Sequence, residues 1–291
     1  MKKLVEICAG LCVLFSSVGV MAAQETPAGE SGPPKVLVIQ REFLKPGKSG
    51  SLHEKSESAF VQAFAAAKYP THYFAMDSMS GRPRALFFVG YPSFEAWEKD
   101  NQAIEKNAAL SATLDRLTIA DGELQTQFTQ SVWVFDPEHS LRTGDAVHSR
   151  YFEISQYKIK PGHRKAWMEL MTIYRDGYEK ASPNANWAVF ESYYGEDNGG
   201  LYLAITRMTS LAEDDQSMGD SKKFADAVGE EGMKKVRELT AECIDSVQTN
   251  LFHLNPKMSY ARDEWIKADP FWKPKGAAAL KKATAPAAAA Q

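Results

Sequence analysis

The sequence predicts an α+β fold: two fused copies of one βαββαβ unit, their four-stranded sheets packed face to face into a single eight-stranded barrel wrapped by helices. Three observations carry this. Phe43-Leu44-Lys45-Pro46-Gly47-Lys48 returns as Lys158-Ile159-Lys160-Pro161-Gly162-His163, and Leu86-Phe87-Phe88-Val89 returns as Leu201-Tyr202-Leu203-Ala204, a period of about 115 residues. Within each period the hydrophobic pattern alternates between strand and helix in the same order. Third, Val36-Leu37-Val38-Ile39 and Ala85-Leu86-Phe87-Phe88-Val89 are continuous apolar runs, so both faces of the sheet are covered. Helices cover one face, and the other copy's sheet covers the other.

The elements follow in order. Val36 to Phe43 is rich in β-branched residues and stops at Lys45-Pro46-Gly47, a strand and its turn. Ser51 with Glu54 three residues on is a capping-box signature. It opens a helix whose stripe is Leu52, Ser56, Ala59, Phe60, Ala63 and Ala67, closed at Tyr69-Pro70. His72 to Met79 and Arg84 to Tyr91 are strands flanking the hairpin signal Ser80-Gly81-Arg82-Pro83. Ser93 to Leu117 is helical with a break near Asn107, and Glu123 to Phe135 is the closing strand. The second copy runs from Arg150 to Leu254, with Ser210 and Glu213 as a further capping box and a long helix near Gly219 to Asp245. Cys243 falls on that helix's apolar stripe with Val236, Leu239 and Val247, where a small buried hydrophobe is expected.

The domain expectation is 1–23 signal peptide, 24–34 linker, 35–141 first repeat, 147–259 second repeat, 260–275 a docked C-terminal segment carrying Trp265, Phe271 and Trp272, and 276–291 an alanine-rich tail. Lys2 and Lys3 precede the mostly apolar Leu4 to Val20, and Val20-Met21-Ala22-Ala23 offers a cleavage site, so a periplasmic or secreted protein is expected. Cleavage removes Cys8 and Cys12 and leaves Cys243 alone, which excludes an intramolecular disulfide. The chain carries 34 Lys and Arg against 37 Asp and Glu, with no basic stripe; nucleic acid and, after cleavage, a membrane surface are therefore not expected partners. A monomer holding both halves is favoured.

The paired units, each starting with strand–Lys-Pro-Gly–helix, resemble the dimeric α/β-barrel superfamily, ferredoxin-like proteins that include antibiotic-biosynthesis-type monooxygenases, NIPSNAP-like proteins, chlorite dismutases and dye-decolourising peroxidases. The resemblance covers about residues 36 to 259 and implies an in-chain pseudo-dimer. It rests on element order and duplication, and so speaks to fold far more than to activity.

For chemistry, the resemblance implies either haem, held by a histidine in the middle of a C-terminal-unit helix, or cofactor-free oxygenation of an electron-rich substrate between sheet and helices. His163 at a helix start and His253 in the last strand both depart from the haem pattern, so no haem is expected. No two histidines stand three to five residues apart and no Cys/His cluster exists, so no metal site and no cofactor are expected. For the second option, His53 lies beside the first helix stripe, and His72, Phe74 and Met76 share one strand face. His53 and His72 are therefore the candidate catalytic pair, meeting across the helix–sheet seam. Tyr73, Phe74, Trp97, Trp187 and Tyr194 are the candidate ligand-binding aromatics. The alternative reading has His72 capping a strand, His53 solvated in the first helical turn and Trp97 in the core. Asp77 with Glu191, and Glu54 with Glu169, are matched acids that read equally well as turn or surface groups. No nucleophile elbow, phosphate loop or dinucleotide fingerprint is present.

The expected function is binding of a small apolar or aromatic molecule between helices and sheet. Two alternatives stand beside it: a cofactor-independent oxygenase or isomerase using His53 and His72, and an envelope protein–protein interaction module.

Overall fold

A computed structural model describes residues 32–144, 146–195 and 200–273. The expected signal peptide, most of the linker and the alanine-rich tail lie outside the described residues, as does most of the hairpin tip at Asn198-Gly199-Gly200.

The first half runs β1 (Val36–Leu44), α1 (Ser51–Ala66), β2 (Tyr73–Ser78), β3 (Arg84–Tyr91), α2 (Phe94–Lys106), α3 (Ala108–Gly122) and β4 (Gln125–Leu141). The second runs β5 (Tyr151–Ile159), α4 (Arg164–Ala181), β6 (Trp187–Tyr194), β7 (Leu201–Met208), α5 (Ala212–Ser217), α6 (Asp220–Cys243) and β8 (Ile244–Tyr260), followed by α7 (Asp263–Ala268) and a 3-10 turn at Pro270–Trp272. The eight strands close into one antiparallel barrel in the order β1-β3-β2-β8-β5-β7-β6-β4. Each half contributes a block of four, and the last strand of each half crosses to the other: β8 pairs with β2, and β4 pairs with β6. Closure removes every sheet edge.

Alternation along the strands then separates two environments. Leu37, Ile39, Met76, Leu86, Phe88, Trp133, Phe152, Ile154, Phe190, Leu203, Phe252 and Leu254 point inward and fill the barrel. One end is stoppered by the C-terminal segment, where Trp265 and Phe271 pack on this core and Trp272 Nε1 donates to Val147 O at 2.7 Å. Asp269 fixes the segment through Arg150 at 2.6 Å, and Arg150 lies over the Phe271 ring.

The outer face meets helices, and the two halves differ there. On the second half α4 buries Ala166, Trp167, Leu170 and Met171, and α6 buries Phe224, Val236, Leu239 and Cys243. Gly177 lets these helices touch: a Cβ there would collide with Phe224 and Val228. On the first half α1 buries only His53 and Glu57, α2 buries nothing fully, and α3 buries Leu110 and Asp121.

One local expectation differs from what forms, and another, the break near Asn107, is met. Helix α1 is entered through Gly50 at φ 76°, so Ser51 is already helical and its hydroxyl makes no cap bond; Glu54 pairs with Lys257 instead. The break at Asn107 separates two helices, its side chain accepting from Leu110 N at 3.1 Å as the cap of α3. Among the described residues no helix is long and apolar enough to cross a membrane.

Candidate functional site

The outward positions of β1 are Val36, Val38 and, two steps further, Glu42. The valines pack under α2, whereas Glu42 faces the start of α1. Helical spacing aligns His53 and Glu57 on the side of α1 that looks at the sheet. Asp121 arrives from the last turn of α3, and the following turn returns the chain to β1 through Lys45 N, which donates to Leu124 O at 2.9 Å. The donor atoms of Glu42, His53, Glu57 and Asp121 all lie within 4.8 Å of one another.

The geometry is tight and closed. His53 Nε2 lies 2.8 Å from Glu42 Oε2 and 3.9 Å from both Glu57 Oε1 and Asp121 Oδ1. His53 and Asp121 are each 1 % exposed, Glu57 4 % and Glu42 8 %, so water does not solvate the cluster. Gln125 Nε2 donates to the other Asp121 oxygen. Yet Glu57 Oε1, Asp121 Oδ1 and His53 Nδ1 are buried without any hydrogen-bond partner, and buried polar atoms are seldom left so.

The charges make the cluster self-conflicting. Burial pushes the Glu57 carboxyl well above its ordinary 4.5, and the neighbouring charges of Glu42 and Asp121 push the same way. Burial raises Glu42 as well, only partly offset by its bond to His53. His53 is pulled down by burial, but its bond to Glu42 and the charges of Glu42 and Asp121 outweigh that and leave it above 6.5. Three carboxylates cannot all stay ionised in such a space on one imidazole's charge. Either protons or a cation must neutralise them.

The other candidate residues are elsewhere. His72 follows the far end of α1: eleven residues separate His53 from Phe64, about 16 Å of helix. His72 packs tilted against Tyr260, ring centroids 4.4 Å apart, and Tyr260 in turn stacks on Phe64. Burial, then the nearby Arg262, pull His72 down to about 4. The fold thus separates the two histidines that helix and strand periodicity placed on one seam, because β2 runs antiparallel to α1. Tyr73 does enter the seam, against Phe64, Phe87 and Tyr260. Phe74 turns the opposite way into the barrel, onto Phe88, Phe152 and Trp265. Trp97 lies on Tyr91 beside the valines of β1. Trp187 belongs to the other half, its Nε1 donating to His139 O at 2.9 Å, and Tyr194 is an exposed surface ring beside Tyr193 and Phe94. Glu191 is held by Arg164 and Tyr202, and Asp77 by Asn255.

Glu42, Glu57 and Asp121 were not singled out from sequence as ligands. Spacing rules look for neighbouring donors, whereas these come from three elements that only the folded half brings together. The available signals were Glu57 four residues after His53 on one helix face, and a carboxylate on β1 next to an apolar run.

Haem, which the resemblance raised, does not fit the residues present. The space between α4, α6 and the sheet is filled by Trp167, packed on Tyr157 and Tyr202 at 5.0 and 5.1 Å. His163 is an exposed helix-start residue beside Glu242, and His253 stands half-exposed near Asp77. Neither can serve as an axial ligand there.

No protein-family model matches the sequence, and no curated protein sequence matches it. Solved structures do resemble the fold. A protein named as a candidate monooxygenase from Fusobacterium nucleatum superposes with a TM-score of 0.50 at 10 % identity, covering 78 % of this chain and 94 % of its own. An anthrone oxidase-like protein gives 0.48 at 15 % identity, over 77 % and 93 %. A chlorite dismutase mutant from Candidatus Nitrospira defluvii, in complex with cyanide, gives 0.48 at 13 % identity, over 82 % and 97 %. The chain has the dimeric α/β-barrel fold.

Proposed function

We propose that this chain is a metal-binding protein of the dimeric α/β-barrel fold, taking one divalent first-row cation between β1, α1 and α3 of its first half. The observation that supports it is the buried set Glu42, His53, Glu57 and Asp121, in which Glu57 Oε1 and Asp121 Oδ1 point at their neighbours with no partner. Donors around one ion bound at about 2.1 Å stand about 3 to 4 Å apart, close to the 3.9 Å separations here. One imidazole and three carboxylates suit Mn²⁺, Fe²⁺ or Zn²⁺; the nitrogen disfavours Ca²⁺ and Mg²⁺, and the lack of sulfur disfavours Cu⁺. A divalent ion would also resolve the charge conflict and tie α1 and α3 to the sheet, where few apolar side chains do so.

The test is elemental analysis of the full chain purified without chelators, then titration of stripped protein with Mn²⁺, Fe²⁺ and Zn²⁺. One ion per chain is expected, with affinity lowered at least tenfold in Glu57→Gln and Asp121→Asn. Binding that is absent, or that both variants leave unchanged, would refute the assignment.

A second reading concerns what the centre serves. Alongside it, Phe64, Tyr73, Phe87 and Tyr260 continue the seam as an aromatic layer, and helix–sheet layers of this kind take small apolar or aromatic molecules. Of the oxygenase- and isomerase-type reactions on such a molecule, the oxygenase accords with the name of the Fusobacterium neighbour. A screen of aromatic compounds with metal-loaded protein, read by thermal stabilisation, tests it; Tyr73→Ala is expected to abolish any hit. Export to the periplasm or beyond is part of this proposal on the strength of residues 1–23, and N-terminal sequencing of the mature protein tests it.

A further inference from the structure

The carboxylate–histidine cluster is more restricted than its donor types alone imply. One Asp121 oxygen is already engaged: Gln125 Nε2 donates to Oδ2, which leaves the unpartnered Oδ1, 3.9 Å from His53 Nε2, as the atom that Asp121 can offer an ion. The turn between α3 and β4 makes this contact. Leu124 N donates to Asp121 O at 2.8 Å, and the chain so bent lays Gln125 back on the carboxylate four residues before it. The same amide reaches Glu42, whose carboxyl is raised by burial and drawn back by its bonds to His53 and Gln125. An amide nitrogen carries two N–H groups, enough to hold one oxygen of each carboxylate.

His53 Nε2 is thus met by one oxygen from each of three carboxylates: Glu42 Oε2 at 2.8 Å, and Glu57 Oε1 and Asp121 Oδ1 at 3.9 Å. Among the described residues no further His, Cys, Asp or Glu joins this group. All four side chains are buried, so solvent has no open face from which to supply additional ligands.

That separates the ions which the donor types admit. Mn²⁺ with oxygen donors favours six ligands, so beside four protein atoms it needs water or carboxylates binding through both oxygens. Fe²⁺ held by imidazole and carboxylate likewise keeps positions open. Zn²⁺ has neither requirement, since in structural sites it is almost always four-coordinate and closed by protein side chains.

We propose that the cluster is a closed, four-coordinate zinc site, and that Gln125 sets its selectivity by holding Asp121, and with it Glu42, to one oxygen each. This rests on the metal-binding reading above and narrows it to one ion and one geometry. Gln125 is a positioning residue, acting on the ion through the two carboxylates. The ion ties β1 to α1 and α3 and offers no open position to a molecule in the neighbouring aromatic layer.

The test is competition between Zn²⁺ and Mn²⁺ for the stripped full chain, together with the visible spectrum of the Co²⁺-loaded protein. Zn²⁺ is expected to displace Mn²⁺, and Co²⁺ to show the intense bands of a four-coordinate ion. Gln125→Ala frees the second Asp121 oxygen. It is expected to narrow the preference for Zn²⁺ over Mn²⁺ by about tenfold, the scale on which outer partners of metal ligands act, and to weaken the Co²⁺ bands. A purely structural role would lower both affinities alike and leave their ratio and the bands unchanged, which would overturn the part given to Gln125. If the unmodified chain binds Co²⁺ with the faint bands of a six-coordinate ion, or binds Mn²⁺ as tightly as Zn²⁺, the zinc assignment falls while metal binding itself stands. If it takes up none of the three ions, the metal-binding reading falls with it.

Discussion

In the first half, α1 and α3 meet the outer face of β1 through Glu42, His53, Glu57 and Asp121; in the second, α4 and α6 meet β5 through Trp167, Leu170, Val236 and Leu239, with Tyr157 in the place of Glu42. At the spacing of the two halves, His53 becomes Met168 and Glu57 becomes Thr172. The matched chain returns, Lys45 N to Leu124 O and Lys160 N to Cys243 O, put Asp121 level with Thr240. One backbone arrangement is therefore held by an apolar layer on one side and by ionisable groups on the other. Apolar packing is self-sufficient. A buried set of carboxylates around one imidazole is not, and replacing such groups by apolar ones often costs nothing. On the proposed function, the second half is the scaffold and the first carries the site.

The comparison is broken most severely at Trp167. Its ring is 1 % exposed between Tyr157 and Tyr202, so Trp167→Ala is expected to remove about 3–5 kcal/mol of stability in denaturant unfolding. It should leave cation affinity unchanged in any protein that remains folded. A loss below about 1 kcal/mol would mean that the second layer is not the scaffold.

Cation binding sharpens the comparison from the other side. An ion at a hundredfold excess over its Kd stabilises the chain by about 2.7 kcal/mol. Hydrogen exchange should show protection gained in α1 and α3 and none in α4 or α6. Uniform protection across both halves would contradict a site confined to the first.

Without a cation, pH supplies the third contrast. Glu57 and Glu42 bind protons more tightly in the folded chain than their ordinary 4.5 allows, and His53 does so relative to 6.5. The folded state then holds more protons than the unfolded one, so stripped protein should lose stability as pH rises above about 4.5. Saturation with cation displaces those protons and should flatten this slope, and the cation's own affinity should rise with pH. A stripped protein whose urea midpoint climbs between pH 5 and 7 would argue against shared protons in the cluster.

How much of this was legible in the sequence follows from what each feature depends on. Element order, the strand runs and the Lys-Pro-Gly turns are local patterns, and barrel closure follows from apolar runs that need cover on both faces. His53 was legible as a seam residue because helix periodicity is local too. Glu57, four residues on, was open to the same spacing argument, but the other partners were not: Glu42 is 11 residues away on another element, and Asp121 arrives only after α2 and α3 have been laid across the sheet. Phe74 was misplaced by one pleat relative to Tyr73, since a run apolar on both faces gives no phase by which to orient it. The His53–His72 pairing failed on direction: residues close to both ends of a helix and its following strand look adjacent in sequence yet sit a helix length apart.

His72 provides the smallest expected effect and the cleanest separation of the two histidines. Its ring is held neutral, at about 4 against an ordinary 6.5, by burial and then by Arg262. The unfolded chain therefore takes up a proton that the folded chain refuses, and stability should fall as pH drops from 6.5 toward 4, the opposite slope to that of the carboxylate cluster. His72→Phe keeps the ring against Tyr260 and removes that titration, so the acid limb should shrink by about 1 kcal/mol once solvent screening is allowed for. Cation affinity should not change, because His72 lies about 16 Å of helix from His53. A tenfold loss of affinity in this variant would return His72 to the site and undo the division of α1 into a metal-binding start and an aromatic end.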